Sequence, residues 1–345
     1  MIPIKNVYYM LAYAFKCLNN DGYKSVEMEE FDNVAELCAA ILYRGISSQI
    51  KQGLGREYIS QTETTSALKG KIDFSASIKE NTIIKKQMVC SYDEFSVNSY
   101  VNRILKTTML YLLRSDISHK RKVELRKIII FFSEVEELDK NLINWKVNFT
   151  RNNQTYRMLI AICELVLKGM LQTQSDGTQK LMDFVDEQHM HRLYERFILE
   201  FYRAERKDIS ANAIQIPWML DNDYSEMLPV MQTDITLTKD NKTFIIDTKY
   251  YAHSTQSQYN SNTLHSGNLY QIFTYVKNRK EQVKDIKGEV SGMLLYAKTD
   301  ENVTPNNNEY SMSGNKIKVH SLDLNRDFSE IKQELNDLAD KCFYA

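Results

Sequence analysis

The chain has 345 residues, enough for two domains at the usual size of about 100–200 residues each. Hydrophobic residues make up 43% of it, which excludes wholesale disorder, and with only 11 Gly and 4 Pro long regular elements should dominate. Forty-four Lys and Arg against 45 Asp and Glu leave a net charge of −1, so any nucleic acid must be held by a local basic patch or delivered by a partner.

In chain order, residues 4–18 read as an amphipathic helix with Val7, Met10, Leu11, Ala14 and Phe15 on one side. A second helix starts near Val34, capped by Asp32 or Asn33. Strand character flanks Gly70 in "REYISQTETTSALKGKIDFSASI", and "VNRILKTTMLYLLR", "KVELRKIIIFFSEV" and "YRMLIAICELVLKGML" are helical. The polar run Gln172–Lys180 reads as a loop, and "MHRLYERFILEFYRAER" as a helix with two apolar stripes. A hairpin follows, then the polar stretch Ala252–Asn268, the helix "LYQIFTYVKNR", strands in "GEVSGMLLYAKT" and "KIKVHSLDL", and a last helix. The fold expected is α/β or mixed α+β, with a helix-rich domain over residues 1–150 and a mixed-sheet domain over 151–345.

The basic runs Ser118–Lys127 and Lys277–Lys284 fit solvated helix faces better than nucleic-acid patches. The five cysteines (17, 38, 90, 163 and 342) form no CxxC pair, which argues for a reducing compartment and against structural zinc. No stretch approaches a membrane span and no signal peptide is evident, so a cytoplasmic location is expected. No G-x4-GK[ST] run is present, so no P-loop nucleotide site is expected in this chain.

The hairpin "MQTDITLTKDNKTFIIDTKYY" carries the chemistry. A two-residue turn at Asp240–Asn241 pairs Thr238 with Thr243 and Leu237 with Phe244, and sets Asp234 opposite Asp247. Asp234, Thr236, Ile245, Asp247 and Lys249 then share one face. Carboxylates about 5 Å apart across strands repel, and a divalent cation turns that repulsion into ligation. Lys249 on the same face is placed to polarise an attacking water or offset developing negative charge. The same pattern also fits a surface hairpin with scattered charges.

The order helix, Asp, Asp-x-Lys, helix resembles the PD-(D/E)xK nuclease superfamily, with Thr233 standing where the superfamily name has Pro. Gln271 and Tyr275 lie on one face of "LYQIFTYV" and resemble the Q-x3-Y helix of many members. "IPIKNVYYMLAYAF", "LKGKIDF", "SYDEFSVNSYVNRILKTTM", "LPVMQTDITL", "IIDTKYY" and "LHSGNLYQ" together resemble the McrC family of modification-dependent restriction systems. That resemblance implies Asp234 and Asp247 as Mg²⁺ ligands (Mn²⁺ substituting) and Lys249 as the catalytic lysine. It implies Glu195, with Glu200 as runner-up, as an assisting helix carboxylate, although surface glutamates are equally common. Gln271 and Tyr275 would orient the lysine or a DNA phosphate, packing being an equal alternative for Tyr275. Thr248 would face the core without a chemical role, and His253 and His265 read more readily as surface histidines than as DNA contacts.

The implied activity is cleavage of 5-methylcytosine-containing double-stranded DNA in concert with a GTP-hydrolysing McrB-like AAA+ ring. The N-terminal half would dock on that ring and stimulate it, with loops around "RGISSQIKQGLGRE" and "LKGKIDF" as candidate contacts. The competing readings are a catalytically silent adaptor of a ring NTPase and a resolvase-like nuclease.

Overall fold

A computed structural model describes residues 2–15, 29, 31, 33–149, 155–176, 187–222, 225–251, 256–258, 261–298, 305 and 307–344. In chain order the elements are α1 (Ile4–Ala14), α2 (Val34–Gln52), β1 (Glu57–Thr65), β2 (Lys71–Asp73), α3 (Phe74–Lys79) and β3 (Met88–Ser96). Then come α4 (Tyr100–Arg114), α5 (His119–Ile129), α6 (Tyr156–Asp176), α7 (Glu187–Glu205), β4 (Ser210–Asn212), β5 (Gln215–Ile216) and β6 (Met231–Gln232). They are followed by β7 (Ile235–Lys239), β8 (Lys242–Lys249), β9 (Gln256–Gln258), β10 (Ser261–Thr263) and α8 (Ser266–Gln282). The last are β11 (Glu289–Lys298), β12 (Asn308–Met312), β13 (Asn315–Asp323) and α9 (Phe328–Phe343).

The chain forms two compact units, one of residues 1–31 with 182–345 and the other of residues 32–181. This moves the division expected at residue 150 and takes α1 out of the N-terminal domain. The reason is long-range packing that local periodicity cannot register. Asn6 is buried and donates to the carbonyls of Leu324 and Arg326, both at 2.8 Å. Tyr9 stacks on Phe328 at 4.1 Å, and Tyr13 meets Phe197 and Phe201 and donates to Glu205 at 2.6 Å. Helix α1 is therefore buried almost all round, rather than on the single stripe its sequence suggested.

In this first unit a six-stranded mixed sheet runs in the order β12-β13-β11-β8-β7-β4, with β11 parallel to both β8 and β13. Strand β8 lies inside the sheet, and Phe244 to Lys249 are all buried, which explains the apolar run "FIID". One face packs on α8 through Ile245, Ile272, Tyr275, Val276 and Leu294. The approach is close at Gly292, where an added Cβ would meet Val276 at 2.6 Å and Ile272 at 2.9 Å. Helix α7 packs against α1, β4, β7 and β8, and Tyr202 donates to the Leu335 carbonyl of α9 at 2.8 Å.

The second unit joins α2, α4, α5 and α6 to a three-stranded antiparallel sheet, β1-β3-β2. Asn33 caps α2 through the Glu36 N–H, one of the two caps expected. Gly70 takes a φ of 60° with Ser91 O 2.4 Å from where a Cβ would stand, so only glycine fits the turn into β2. Most of "RGISSQIKQGLGRE" is the end of α2 and not a loop, and "LKGKIDF" runs through that turn and β2. Helix α6 continues to Asp176 across most of the expected Gln172–Lys180 loop, whose last residues lie outside the described set. In the first basic run, Arg121 is buried beside Glu36 and Glu124, so it is structural. Cys38, Cys90, Cys163 and Cys342 are free thiols. Among the described residues no helix is long and apolar enough to cross a membrane.

Candidate active site

The β7–β8 hairpin keeps the register read from the sequence, with Leu237 opposite Phe244 and Thr238 opposite Thr243. Asp240 in its turn has a φ of 52°, the left-handed conformation that hairpin turns of the primed kind require. The ladder ends at Ile235 opposite Ile246, however, so Asp234 is not a strand partner of Asp247. It sits in the bend before β7. Its Oδ2 accepts from the Thr248 N–H at 2.8 Å and the Thr248 hydroxyl at 2.9 Å, and no described group bonds its Oδ1. Thr248 thus has a polar task, contrary to the passive role expected.

The segment entering Asp234 is fixed from the other side. The Thr233 N–H donates to Ile214 O at 3.0 Å, and the Thr233 hydroxyl accepts from the Ile214 N–H at 3.0 Å. Proline has no N–H to give, so threonine at this position makes a hydrogen bond that proline could not.

Asp247 is fully buried, and its Oδ1 has no hydrogen-bond partner. Its Oδ2 is ion-paired with Lys249 Nζ at 2.7 Å, although the angle falls short of a hydrogen bond. Burial pushes the carboxyl up to about 7, with Lys249 opposing the rise and Asp234 adding to it. Burial alone would depress Lys249, but Asp247 and then Asp234 outweigh it and hold the ammonium above its ordinary value. Lys249 is a cation here and not a base.

Gln271 and Tyr275 complete a chain behind the lysine. Lys249 Nζ donates to Gln271 Oε1 at 3.0 Å, Gln271 Nε2 donates to the Tyr275 hydroxyl at 3.0 Å, and that hydroxyl donates to Gln232 O at 2.9 Å. The i, i+4 spacing on α8 brings the two side chains together, so the Q-x3-Y pattern has a geometric meaning in this molecule. Tyr275 also packs in the core, so its packing coexists with its hydrogen bond to Gln271.

Glu195 is half-buried on α7, and burial, then Asp234 and Asp247, raise it to about 7. Glu200, the runner-up, pairs with Arg203 at 2.8 Å. One turn before Glu195, His191 Nε2 lies 3.1 Å from Thr248 O, a contact no motif announces. His265 is half-buried ahead of α8, its ring 5.2 Å from that of Tyr251 and its Nε2 unpaired, and is not an ordinary surface histidine. His253 lies outside the described residues.

Among the described residues no group of three or more His, Cys, Asp or Glu is arranged to hold a metal, and the donors implied by the resemblance are two, Asp234 and Asp247. They fit a hard cation that takes one or two carboxylates and fills its other positions with water and phosphate oxygens. The unpartnered oxygen of the buried Asp247 is the specific sign. A buried carboxylate oxygen without a donor costs free energy that a cation would recover.

The site is thus a central mixed sheet presenting an acid at a strand entry and an acid-x-Lys at a strand end. The sequence matches the family model "McrBC 5-methylcytosine restriction system component" over residues 5–297, and the chain belongs to that family. It is 26% identical to the type IV methyl-directed restriction enzyme EcoKMcrBC of Escherichia coli strain K12, over 99% of this chain and 98% of that protein. Its fold resembles a chain in a half-complex of the tetradecameric Thermococcus gammatolerans assembly of McrB AAA+ hexamers with bound McrC. That likeness has a TM-score of 0.51 at 17% identity and covers 97% of this chain and 76% of the other.

Proposed function

We propose that this chain is the DNA-cleaving, McrC-type subunit of a modification-dependent restriction complex. It hydrolyses phosphodiesters of 5-methylcytosine-containing double-stranded DNA and binds and stimulates a GTP-hydrolysing, McrB-like AAA+ ring. The observation that carries the catalytic part is the buried Asp247, with one orphaned oxygen, ion-paired to a buried, charged Lys249. Nothing in packing alone rewards placing these two groups inside a sheet, since breaking or burying such pairs costs several kcal/mol in general.

In this reading Asp234 and Asp247 hold Mg²⁺ or Mn²⁺. When bound, the ion supplies Lewis-acid polarisation of the scissile phosphate. The Lys249 ammonium, aimed by Gln271, offsets the negative charge that builds on the phosphate oxygens as water attacks phosphorus. Glu195, poised near neutrality, takes the proton that the water gives up at its carboxylate.

The partner part rests on the family, and the second unit supports it. Its small sheet exposes Tyr58 beside Phe95 with ring centroids 5.0 Å apart, and Leu68, Phe74, Ile78 and Ile84 are exposed nearby in sequence. Of these, Tyr58 and Phe95 are in contact with each other, and contiguous exposed apolar surface of that kind is what marks interaction sites. Reconstitution tests the proposal. Chain, McrB-like ring, GTP, Mg²⁺ and methylated duplex together should give cleavage, and omission of the chain should abolish cleavage and lower GTP turnover. Cleavage by the ring alone, or no change in GTP turnover, would contradict it.

A further inference from the structure

Strand β8 runs on past the end of its pairing with β7, staying paired with β11 as far as Lys249 opposite Tyr296. Thr248 lies in this overhang, fully buried, with no β7 residue opposite it. A buried N–H left without an acceptor is costly, and here the Asp234 carboxylate substitutes for the missing strand at 2.8 Å. The backbone alone thus explains one bond to Asp234. It does not explain the second, from the Thr248 hydroxyl to the same Oδ2 at 2.9 Å. Valine or isoleucine would suit a buried strand equally well and would make no such bond. Thr248 is itself held from α7, because His191 Nε2 lies 3.1 Å from its carbonyl oxygen.

We infer that Thr248 is a positioning residue for the metal centre: its hydroxyl and N–H clamp Oδ2 of Asp234 and leave Oδ1 to the ion. This rests on the reading of Asp234 and Asp247 as metal ligands. The clamp fixes the carboxylate before the ion arrives, so less ordering is left to be done on binding. Partners that orient a ligand in this way change metal affinity by about 10- to 100-fold when removed.

The test compares Thr248→Ser with Thr248→Ala in the full chain. Both lack the γ-methyl, and they differ only in the hydroxyl. Calorimetric titration with Mn²⁺ reads the affinity directly, without DNA or a partner. Wild type should bind and Asp247→Asn should not, which establishes the shared site. Thr248→Ser should bind at least about tenfold more tightly than Thr248→Ala. Thr248→Val, which keeps the β-branched shape, should bind as weakly as Thr248→Ala. Equal affinities for the Ser and Ala variants, with wild type and Asp247→Asn behaving as stated, would overturn the clamp alone. Absence of Mn²⁺ binding by wild type would overturn the metal reading and the clamp with it.

Discussion

Proton competition at Asp247 should govern metal binding. Its carboxyl is raised from 3.8 to about 7, mainly by burial. At about 1.36 kcal/mol per pKa unit, ionised Asp247 costs the metal-free fold roughly 4 kcal/mol. The sign follows from the raised value. The contribution to stability is fully present below the unfolded pKa of 3.8 and is lost as pH rises through the folded pKa of about 7. A divalent ion binds the ionised form and restores what was lost. Apparent Mn²⁺ affinity should therefore rise about fivefold from pH 6 to 7, gain about a further factor of two by pH 8, and level off above it. Calorimetric titration across that range, with the melting temperature followed with and without Mn²⁺, measures both sides of the linkage. Glu195 titrates over the same range, so the slope should persist in Glu195→Gln and vanish, with the binding, in Asp247→Asn. A wild-type affinity that stays flat across this range would refute the reasoning.

Three further outcomes follow from the packing. Gln271→Ala frees the Lys249 ammonium from its tether and should lower DNA cleavage while leaving GTPase stimulation unchanged; equal cleavage by variant and wild type would remove Gln271 from the site. Gly292→Ala should destabilise the fold by about 1–3 kcal/mol in urea titration, because its methyl meets Val276 and Ile272, and should also impair cleavage by displacing the helix that carries Gln271. Asn6→Ala leaves two carbonyls without their donor and should cost about 2 kcal/mol; a negligible loss would mean that α1 is not integral to the sheet-bearing unit.

Much of the site was legible because strand alternation is a strict rule. Once the turn at Asp240–Asn241 is fixed, Ile245, Asp247 and Lys249 fall on one face, and the α8 side chains Gln271 and Tyr275 meet that face. The local pattern fails where the ladder stops. Alternation extends the pairing to Asp234, but the chain leaves the sheet one residue earlier and the carboxylate bonds Thr248 instead. Thr248 looked inert because its side chain alternates away from the lysine, and hydrogen bonding along a sheet edge has no signature in residue spacing. His191 was hidden for the same reason. The unit boundary was misplaced because α1 is bound to residues more than 300 positions away, and periodicity reports a helix's apolar face without naming what covers it. Helix α6 outran its apolar stripe for a related cause, since backbone hydrogen bonds continue through "QTQSD" after the hydrophobic pattern ends.

The central claim is that one chain couples a hydrolytic site on the β8 strand end to stimulation of a GTPase ring through other residues. Asp247→Ala and Lys249→Ala test it most directly, each assayed with the McrB-like ring, GTP, Mg²⁺ and methylated duplex, with DNA cleavage and GTP turnover read from the same samples. Both variants should lose cleavage and retain wild-type GTPase stimulation. Undiminished cleavage by both would contradict the assignment of the site, and loss of stimulation in folded variants would contradict the division of labour.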